Sequence, residues 1–297
     1  MKILVTGGLG FIGSNLCERL VKEGHEITII DNLHTGTEEN VKDIRSNVRV
    51  VIGRAKQLVE IGEKFDLIFH EGIYSSTPMY KEKPSRVAEV VEDFIAILEY
   101  AKANKTKIVY ASSSSVYNGI APPQREDAPI GVTDFYTEGR VAMERLAELY
   151  HKLYGMQIIG LRYFSVYGPH EENKKSYANL ISQFMWAIRK GEQPIVYGDG
   201  SQKRDFTYVD DIVEANMLAM KSAIGLGVFN AGTGKAIAIN EMIELLNRKM
   251  GTNLKPKYIP NPISNYVHYT LADTKKAEKE LGFKAKVSLE EGIAKLV

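Results

Sequence analysis

The stretch TGGLGFIG, residues 6–13, follows the apolar run KILVT (2–6) and opens an amphipathic segment. Three of its four glycines, Gly7, Gly10 and Gly13, are spaced as G-x-x-G-x-x-G. Glycine lets a strand turn tightly into a helix and lets the backbone approach a pyrophosphate, whose charge then lies against the N–H groups of the helix start. The stretch therefore predicts a dinucleotide-binding turn made of Gly7, Gly10, Phe11, Ile12 and Gly13.

The second apolar run, EITIID (26–31), ends in Asp31, and Asn32 follows it. An acid at the end of the second strand can accept hydrogen bonds from both hydroxyls of an adenosine ribose. Its negative charge would repel the 2′-phosphate of NADP, so the sequence predicts NAD as the cofactor. His34 and Arg54, two nearby cationic residue types, leave NADP open as the alternative.

Short apolar runs alternate with longer amphipathic segments over the first 190 residues. The runs lack polar alternation, as strands covered on both faces do. We predict strands at 2–6, 26–31, 48–52, 65–70, 107–112 and 157–163, and helices at about 11–24, 84–104, 135–154 and 177–190. This alternation is typical of an α/β protein with a Rossmann-type, doubly wound parallel sheet.

The regular alternation of apolar runs and amphipathic segments ends after residue 165. Helices are predicted near 208–222, 239–250 and 273–281, joined by irregular stretches at 191–206 and 258–269. We therefore expect a dinucleotide-binding domain over residues 1–168 and a smaller C-terminal α/β substrate lobe that takes most of 169–297. Segments within about 200–235 are expected to return to the first domain.

The composition excludes several classes of protein. The chain has 297 residues, of which 44% are hydrophobic and 25% charged, and its net charge is +1. Such a balance indicates a globular protein without the basic surface that nucleic acid or anionic lipid would require. A single cysteine, Cys17, excludes an internal disulfide. No apolar run approaches the roughly 20 residues of a membrane span. The sequence predicts a cytoplasmic protein with neither nucleic-acid nor membrane partners.

The stretch DFYTEGR (134–140) places a tyrosine and an arginine four residues apart, on one face of a helix that Asp134 can cap. A free tyrosine titrates near ~10. One cation at about 6 Å, in an effective dielectric of about 20, stabilises a phenolate by about 2.8 kcal/mol. Tyr136 and Arg140 could therefore be a catalytic pair. The stretch alone does not distinguish this from two ordinary helix residues.

Further motifs follow in a fixed order: DNL (31–33), YASSSSVY (110–117), RYFSVYGP (162–169), GDGSQKRDFTYVDD (198–211), NAGTG (230–234) and ADTKKAEKELGF (272–283). With the glycine turn and the Tyr136/Arg140 pair, they cover nearly the whole chain. The chain resembles the extended short-chain dehydrogenase/reductase family of nucleotide-sugar enzymes.

The resemblance implies roles for individual residues. Tyr136 would be the catalytic base, Arg140 would stand in the place of the family lysine, and the hydroxyl of Ser113 would bond the reacting sugar oxygen. Tyr136 and Arg140 would also contact NAD. Lys174, Asn179 and Arg204, with Ser113, would bind the nucleotide-sugar substrate. The family usually forms homodimers through the helices at about 84–104 and 135–154, so a homodimer is expected.

This sequence departs from the family pattern at several positions. Arg140 replaces the catalytic lysine, and Arg54 stands where an acid usually contacts adenine. Val90 stands where asparagine is common, and Ser165 replaces the asparagine of RYFN. The usual arginine before the final AD has no match in NPISNYVHYTLAD (261–273). The last two departures leave the substrate open.

Ser114 and Ser115 indicate the type of reaction. Family dehydratases carry an Asp-Glu pair at these positions and decarboxylases a glutamate at the second, so both reactions are disfavoured. An epimerase of the UDP-glucose/UDP-galactose 4-epimerase type is the preferred interpretation. FHEGIYSST (69–77) and GLRYFSVYGPHEENKKS (160–176) resemble ADP-glycero-manno-heptose 6-epimerases, which is one alternative; a non-catalytic NAD-binding protein is another.

Other polar and aromatic residues are assigned by position. Tyr163, Phe164 and Trp186 are interpreted as core residues. His70 is expected near the cofactor, and His170 is expected to face the sugar. No group of residues has the spacing of metal ligands, so no metal is predicted.

Overall fold

The structure, a computed structural model, describes residues 1–261 and 266–297; residues 262–265, part of the irregular stretch 258–269, lie outside the described residues. Its centre is a sheet of seven strands. They are β1 (Lys2–Thr6), β2 (Glu26–Asp31), β3 (Val48–Ile52), β4 (Leu67–His70), β5 (Lys107–Ser113), β6 (Ile158–Tyr163) and, after shorter strands elsewhere, β11 (Leu226–Ala231). The six strands predicted from sequence are all present within two residues at each end.

The strands lie in the order β3-β2-β1-β4-β5-β6-β11, and all neighbouring pairs are parallel. The chain direction across the sheet therefore reverses between β1 and β4. In sheets of this kind the carboxyl ends of the strands form a crevice at that reversal, and ligands bind there. The doubly wound Rossmann-type fold predicted from the sequence is confirmed.

Eight α-helices are found over the described residues: α1 (Phe11–Lys22), α2 (Thr77–Glu82), α3 (Arg86–Asn104), α4 (Phe135–Tyr154), α5 (Leu180–Arg189), α6 (Val209–Lys221), α7 (Ile239–Met250) and α8 (Leu289–Ala294). α1 and α6 cover one face of the sheet, where they share a core with Ile3 and Val5. α3 and α4 cover the other face with Leu4 and Ile68. Burial of alternate residues on opposite faces explains the uninterrupted apolar runs.

Three two-stranded pairs and a third apolar cluster lie beyond the main sheet. The pairs are β7 (Val166–Tyr167) with β10 (Thr207–Tyr208), β8 (Ile195–Tyr197) with β13 (Lys257–Ile259), and β9 (Lys203–Arg204) with β12 (Ile237–Ala238). α5, α7 and α8 pack around Phe184, Met242 and Ile293. Over residues 1–261 and 266–297, no helix is long and apolar enough to cross a membrane.

Several elements differ from the sequence prediction, among them a strand of the main sheet and the start of α5. β11 was not predicted, and it extends the main sheet beside β6. The helix expected from residue 177 begins at Leu180, because the Asn179 side chain accepts the N–H of Ile181 at 3.0 Å and caps α5. Residues Glu172–Tyr177 form a separate 3-10 turn before it. The division into two lobes stays a prediction.

Candidate cofactor and catalytic site

A pocket of about 710 Å³ lies at the carboxyl edge of the sheet. It is lined by the glycine turn, by the ends of β2 and β5, by the start of α4 and by the loop before α5. Every site residue predicted from the sequence lines it: Gly7, Gly10, Phe11, Ile12, Gly13, Asp31, Asn32, Ser113, Tyr136, Arg140, Lys174, Asn179 and Arg204. The fold thus brings together residues that are separated by up to two thirds of the chain.

The glycine turn is shaped by two close backbone approaches. Gly7 has φ +68°, and a Cβ there would lie 2.5 Å from Cα of Gly72. A Cβ on Gly13 would lie 2.2 Å from the carbonyl oxygen of Gly7. Any side chain at either position would therefore displace the backbone. The turn leads directly into α1, which begins at Phe11. The first N–H groups of that helix are therefore free to bind a pyrophosphate.

Asp31 fastens this turn to the loop after β2. Its carboxylate accepts the N–H of Leu9 at 3.1 Å and the N–H of Leu33 at 2.8 Å. Burial raises the pKa of Asp31, and these two hydrogen bonds oppose the shift. A carboxylate has about four acceptor sites, so Asp31 retains acceptor capacity for ribose hydroxyls at the wall of the pocket.

The part of the pocket beyond Asp31 contains an ion pair that sequence reasoning missed. Arg54 lines the pocket, and its guanidinium lies 3.1 Å from a carboxylate oxygen of Asp93 and 3.1 Å from one of Glu92. Asp93, on α3, also lines the pocket and accepts the N–H of Lys56 at 3.2 Å. The charge of Arg54 is thus already paired, which weakens the case for Arg54 as a partner of a 2′-phosphate.

We expect Asp31→Ala to weaken NAD⁺ binding by about ten- to a hundredfold, because hydrogen bonds to a charged group contribute about 1.5–3 kcal/mol each. NADP⁺ binding should change less, since the variant also removes repulsion of the 2′-phosphate. Calorimetry with both cofactors measures the two effects, and Asp31→Asn, which keeps one acceptor oxygen, is the matched control. Tighter binding of NADP⁺ than NAD⁺ by the wild-type protein, unchanged in Asp31→Ala, would overturn the assignment.

The tyrosine and the arginine of DFYTEGR meet at the start of α4. Asp134 caps the helix by accepting the N–H of Thr137 at 2.9 Å. The guanidinium carbon of Arg140 lies 4.9 Å from the centroid of the Tyr136 ring. On its other side Tyr136 contacts the edge of Tyr80, with ring centroids 5.5 Å apart. The local helix geometry thus produces a cation held against a pocket-lining phenol.

Arg140 is a buried anchor, only 3% exposed. Its guanidinium donates to the carbonyl oxygens of Tyr74 at 2.9 Å and Ala111 at 3.4 Å, which joins the loop after β4 to the end of β5. Its Nε atom is buried and has no hydrogen-bond partner among the described residues. The guanidinium thus places a buried positive charge at the end of the pocket that Ser113, Tyr136 and Arg140 line, called the reactive end below.

Ser113 is the last residue of β5 and is 8% exposed. Its Oγ accepts the N–H of Ser115 at 3.1 Å and lines the pocket beside Ser114 and Ser115. Ser112 also lines the pocket, but its hydroxyl donates to Glu144 at 2.6 Å. The strand end therefore presents hydroxyls to the pocket and no carboxylate at positions 114 and 115.

The other predicted substrate residues, Lys174, Asn179 and Arg204, also line the pocket. The Nζ of Lys174 lies 3.3 Å from a carboxylate oxygen of Glu171 and 5.3 Å from the centroid of the Phe11 ring, close to the glycine turn. Arg204 donates to the carbonyl oxygens of Lys203 and Val267. An arginine has five N–H donors, so Arg204 can still reach a phosphate.

Tyr266 is a pocket residue that sequence reasoning missed. Its ring centroid lies 5.3 Å from the guanidinium carbon of Arg204, and its hydroxyl accepts from Gln202 at 3.0 Å. The irregular stretch 258–269 gave no periodic signal by which this ring could have been found.

The structure corrects the prediction for His170, which is not among the residues that line the pocket. Its Nδ1 lies 2.9 Å from Oγ of Ser14 and its Nε2 lies 3.8 Å from Glu18, so the ring packs against α1. His70 is buried at the end of β4, where its Nδ1 lies 2.7 Å from Oγ1 of Thr6. Burial lowers the pKa of His70 to about 3.

Two aromatic residues interpreted as core belong to both the core and the pocket. Tyr163 and Phe164 are buried and line the pocket, whereas Trp186 packs against the third apolar cluster. Glu71, just after β4, is a pocket residue that sequence reasoning missed. Over residues 1–261 and 266–297, no group of three or more histidine, cysteine or carboxylate side chains could hold a metal ion.

Comparisons with known proteins identify the family of the chain. Residues 3–232 match the model of the NAD dependent epimerase/dehydratase family. A UDP-glucuronate 4-epimerase from Thermodesulfobacterium geofontis is 34% identical, over 99% of this chain and 94% of that protein. Other relatives, at 31–32% identity, carry the name UDP-glucuronic acid decarboxylase.

Solved structures extend the likeness to the whole fold. A UDP-N-acetylglucosamine 4-epimerase from Methanobrevibacter ruminantium M1 superposes with a TM-score of 0.93 at 31% identity, covering 99% of this chain and 96% of that one. MoeE5 in complex with UDP-glucose and NAD superposes with a TM-score of 0.87 at 31% identity, covering 99% and 96%. The chain therefore belongs to the NAD-dependent epimerase/dehydratase family of extended short-chain dehydrogenases/reductases, and it is an enzyme whose cofactor is NAD.

Proposed function

We propose that the enzyme is a nucleotide-sugar epimerase that inverts C4 of UDP-glucose or UDP-galactose. The observation that carries this proposal is the set of groups at the reactive end of the pocket. Tyr136 lies against the charged Arg140, Ser113 ends β5 nearby, and serines occupy positions 114 and 115. This set can move a proton, but it offers no carboxylate at those two positions for loss of water or CO2.

The protein's part in the reaction is to bind and orient the sugar and to carry the proton of its hydroxyl group. Tyr136 Oη takes the proton of the sugar hydroxyl, and Ser113 Oγ hydrogen-bonds the same oxygen. The positive charge of Arg140 stabilises the phenolate that receives the proton. NAD, when bound, supplies the acceptor and then the donor of the hydride at that sugar carbon. When the keto-sugar is reduced, Tyr136 returns its proton to the oxygen.

Inversion needs the keto-sugar to turn before it is reduced, so the diphosphate must be held while the sugar is free to rotate. Arg204 is suited to the diphosphate because an arginine fork matches phosphate oxygens in a bidentate manner. Tyr266, which packs on Arg204, offers an aromatic face near the same place. Lys174 and Asn179 complete the proposed substrate-binding set.

A 6-epimerase acting on an ADP-heptose-like sugar is the second candidate. Both segments that resemble heptose epimerases contribute to the pocket: Glu71 from FHEGIYSST and Lys174 from HEENKKS line it. The two candidates share Tyr136, Ser113 and Arg140 and differ in the base and in the carbon that is inverted. A substrate panel therefore separates them.

The test is NMR of UDP-, ADP-, GDP- and dTDP-sugars incubated with the enzyme and catalytic amounts of NAD⁺. We expect UDP-glucose and UDP-galactose to interconvert without accumulation of NADH. Inversion of an ADP-heptose alone would favour the second candidate. Stoichiometric NADH, a 4-keto-6-deoxy sugar or a decarboxylated product would overturn the epimerase proposal.

We also propose that the enzyme is a homodimer that pairs through α3 and α4. These helices pack on each other and carry exposed apolar side chains: Ile95 is 37%, Leu149 46% and Leu153 59% exposed. A second copy of the same face would bury them. Sedimentation velocity measures the oligomeric state directly.

A further inference from the structure

Glu71 forms part of the floor of the reactive end of the pocket. It follows β4 directly, and its carboxylate accepts the hydroxyl of Tyr163, the last residue of β6, at 2.9 Å. β5 lies between β4 and β6 in the sheet. The hydrogen-bonded side chains of Glu71 and Tyr163 together therefore span the carboxyl end of β5, where Ala111 and Ser113 line the pocket.

The position of this carboxylate is fixed from several sides. Tyr163, which donates to it, is itself held by a 2.7 Å hydrogen bond from Asn216 on α6. Arg140, on α4, interacts electrostatically with Glu71 and lines the same end of the pocket. The mechanism proposed above uses Tyr136, Ser113 and Arg140 and leaves the carboxylate of Glu71 without a role.

Chemistry locates the nicotinamide at this end of the pocket. The hydride and the proton leave one C–OH group of the sugar, so the ring that receives the hydride must bind beside Tyr136, which receives the proton. The oxidised ring carries one positive charge and the reduced ring carries none. A nearby carboxylate therefore stabilises the oxidised cofactor and not the reduced one.

We propose that Glu71 is a positioning residue that makes the pocket prefer NAD⁺ over NADH, by holding a carboxylate in the floor where the nicotinamide binds. Such a preference keeps an epimerase in the oxidised form that each new sugar needs. The inference rests on NAD as the cofactor and on the proposed role of Tyr136, and it is independent of which sugar the enzyme inverts.

The surrounding titratable groups make this preference depend on pH. Burial raises the pKa of Glu71 to about 7, opposed by the hydrogen bond from Tyr163 and the charge of Arg140. His70, on the same strand, is uncharged near neutrality because burial lowers its pKa to about 3. Burial raises the pKa of the Cys17 thiol on α1, so that group is also neutral. Glu71 thus changes charge near pH 7, whereas His70 and Cys17 stay neutral.

The sign of the pH dependence follows from linkage. NAD⁺ favours the ionised carboxylate, so its binding lowers the pKa of Glu71 below the value of about 7 in the free protein. Affinity for NAD⁺ is then full above pH 7 and falls as the pH drops through that value, by up to about tenfold per pH unit. NADH, whose ring is neutral, gains nothing from the ionised form.

The experiment is exchange of the NAD⁺-loaded enzyme against NADH, followed by the fluorescence of bound NADH between pH 5.5 and 8.5. The ratio of NAD⁺ affinity to NADH affinity should rise by about five- to tenfold from pH 6 to pH 8 in the wild type. Glu71→Gln keeps an acceptor for Tyr163 but loses the charge, so its ratio should be low and independent of pH. A flat wild-type ratio, or a wild-type slope in Glu71→Gln, would overturn the proposal.

Two further variants identify the titrating group. Tyr163→Phe removes the hydrogen bond that lowers the pKa of Glu71, so the midpoint of the ratio should move to higher pH. Tyr136→Phe removes the phenol at this end of the pocket, and the affinity ratio should still rise with pH. Loss of the slope in Tyr136→Phe, or an unmoved midpoint in Tyr163→Phe, would show that Glu71 is not the source.

Discussion

Tyr136→Phe is expected to lower kcat by about 10²- to 10⁴-fold while NAD remains bound, because the variant loses the proton carrier and little else. The phenol lies at the start of α4, with the Arg140 guanidinium 4.9 Å from its ring centroid, and the ring itself is retained in phenylalanine. The packing against Tyr80 is therefore preserved. The fall should appear in kcat at saturating substrate and not as a loss of cofactor.

The matched control is Tyr80→Phe. Tyr80 belongs to the same aromatic group but is fully buried and donates its hydroxyl to the carbonyl oxygen of Tyr74 at 3.2 Å. Its loss should change kcat by no more than a few-fold. Steady-state kinetics of both variants, with NAD content measured on the same samples, makes the comparison. If Tyr136→Phe turned over near the wild-type rate, another group would have to carry the proton.

The parts of the fold and site that the sequence predicts are those set by local rules. The turn at 6–13 needs glycine at position 7 because φ is +68° there, and at position 13 because a Cβ would lie 2.2 Å from the carbonyl oxygen of Gly7. Asp31 is placed by the length of β2, and Tyr136 with Arg140 by the i, i+4 geometry of one helix. Each of these could be read within about 30 residues of chain.

The parts that the sequence did not predict are set by contacts between distant segments. The sequence around Arg54 does not predict its ion pair with Asp93, which lies on α3. His170 looked like a sugar ligand by position, yet it packs against Ser14 on α1, 156 residues away. In the sequence Glu71 is one polar residue after a strand, and only the fold shows that Tyr163 of β6 lies beside it.

Arg140→Met is expected to lower kcat by about 100-fold, whereas Arg140→Lys should keep kcat within about tenfold of the wild type. A cation at about 6 Å contributes about 2.8 kcal/mol to the phenolate, which is about two powers of ten in rate. Lysine supplies the same charge on a compact ammonium, and methionine supplies the length without the charge. Stability is expected to change by less than about 2 kcal/mol in Arg140→Met, because the lost hydrogen bonds are offset by the removal of a buried charge.

Comparing the two variants separates the charge of Arg140 from its shape. The guanidinium also joins the carbonyl oxygens of Tyr74 and Ala111, and one ammonium group cannot be expected to reproduce both contacts with the same geometry. If Arg140→Lys lowered kcat as much as Arg140→Met, with unfolding free energies close to the wild type, the planar guanidinium group would be the required feature. If Arg140→Met kept the wild-type kcat, the phenolate would not depend on this cation. The expected order, wild type above lysine and lysine far above methionine, means that arginine serves here as the charge that the family obtains from lysine.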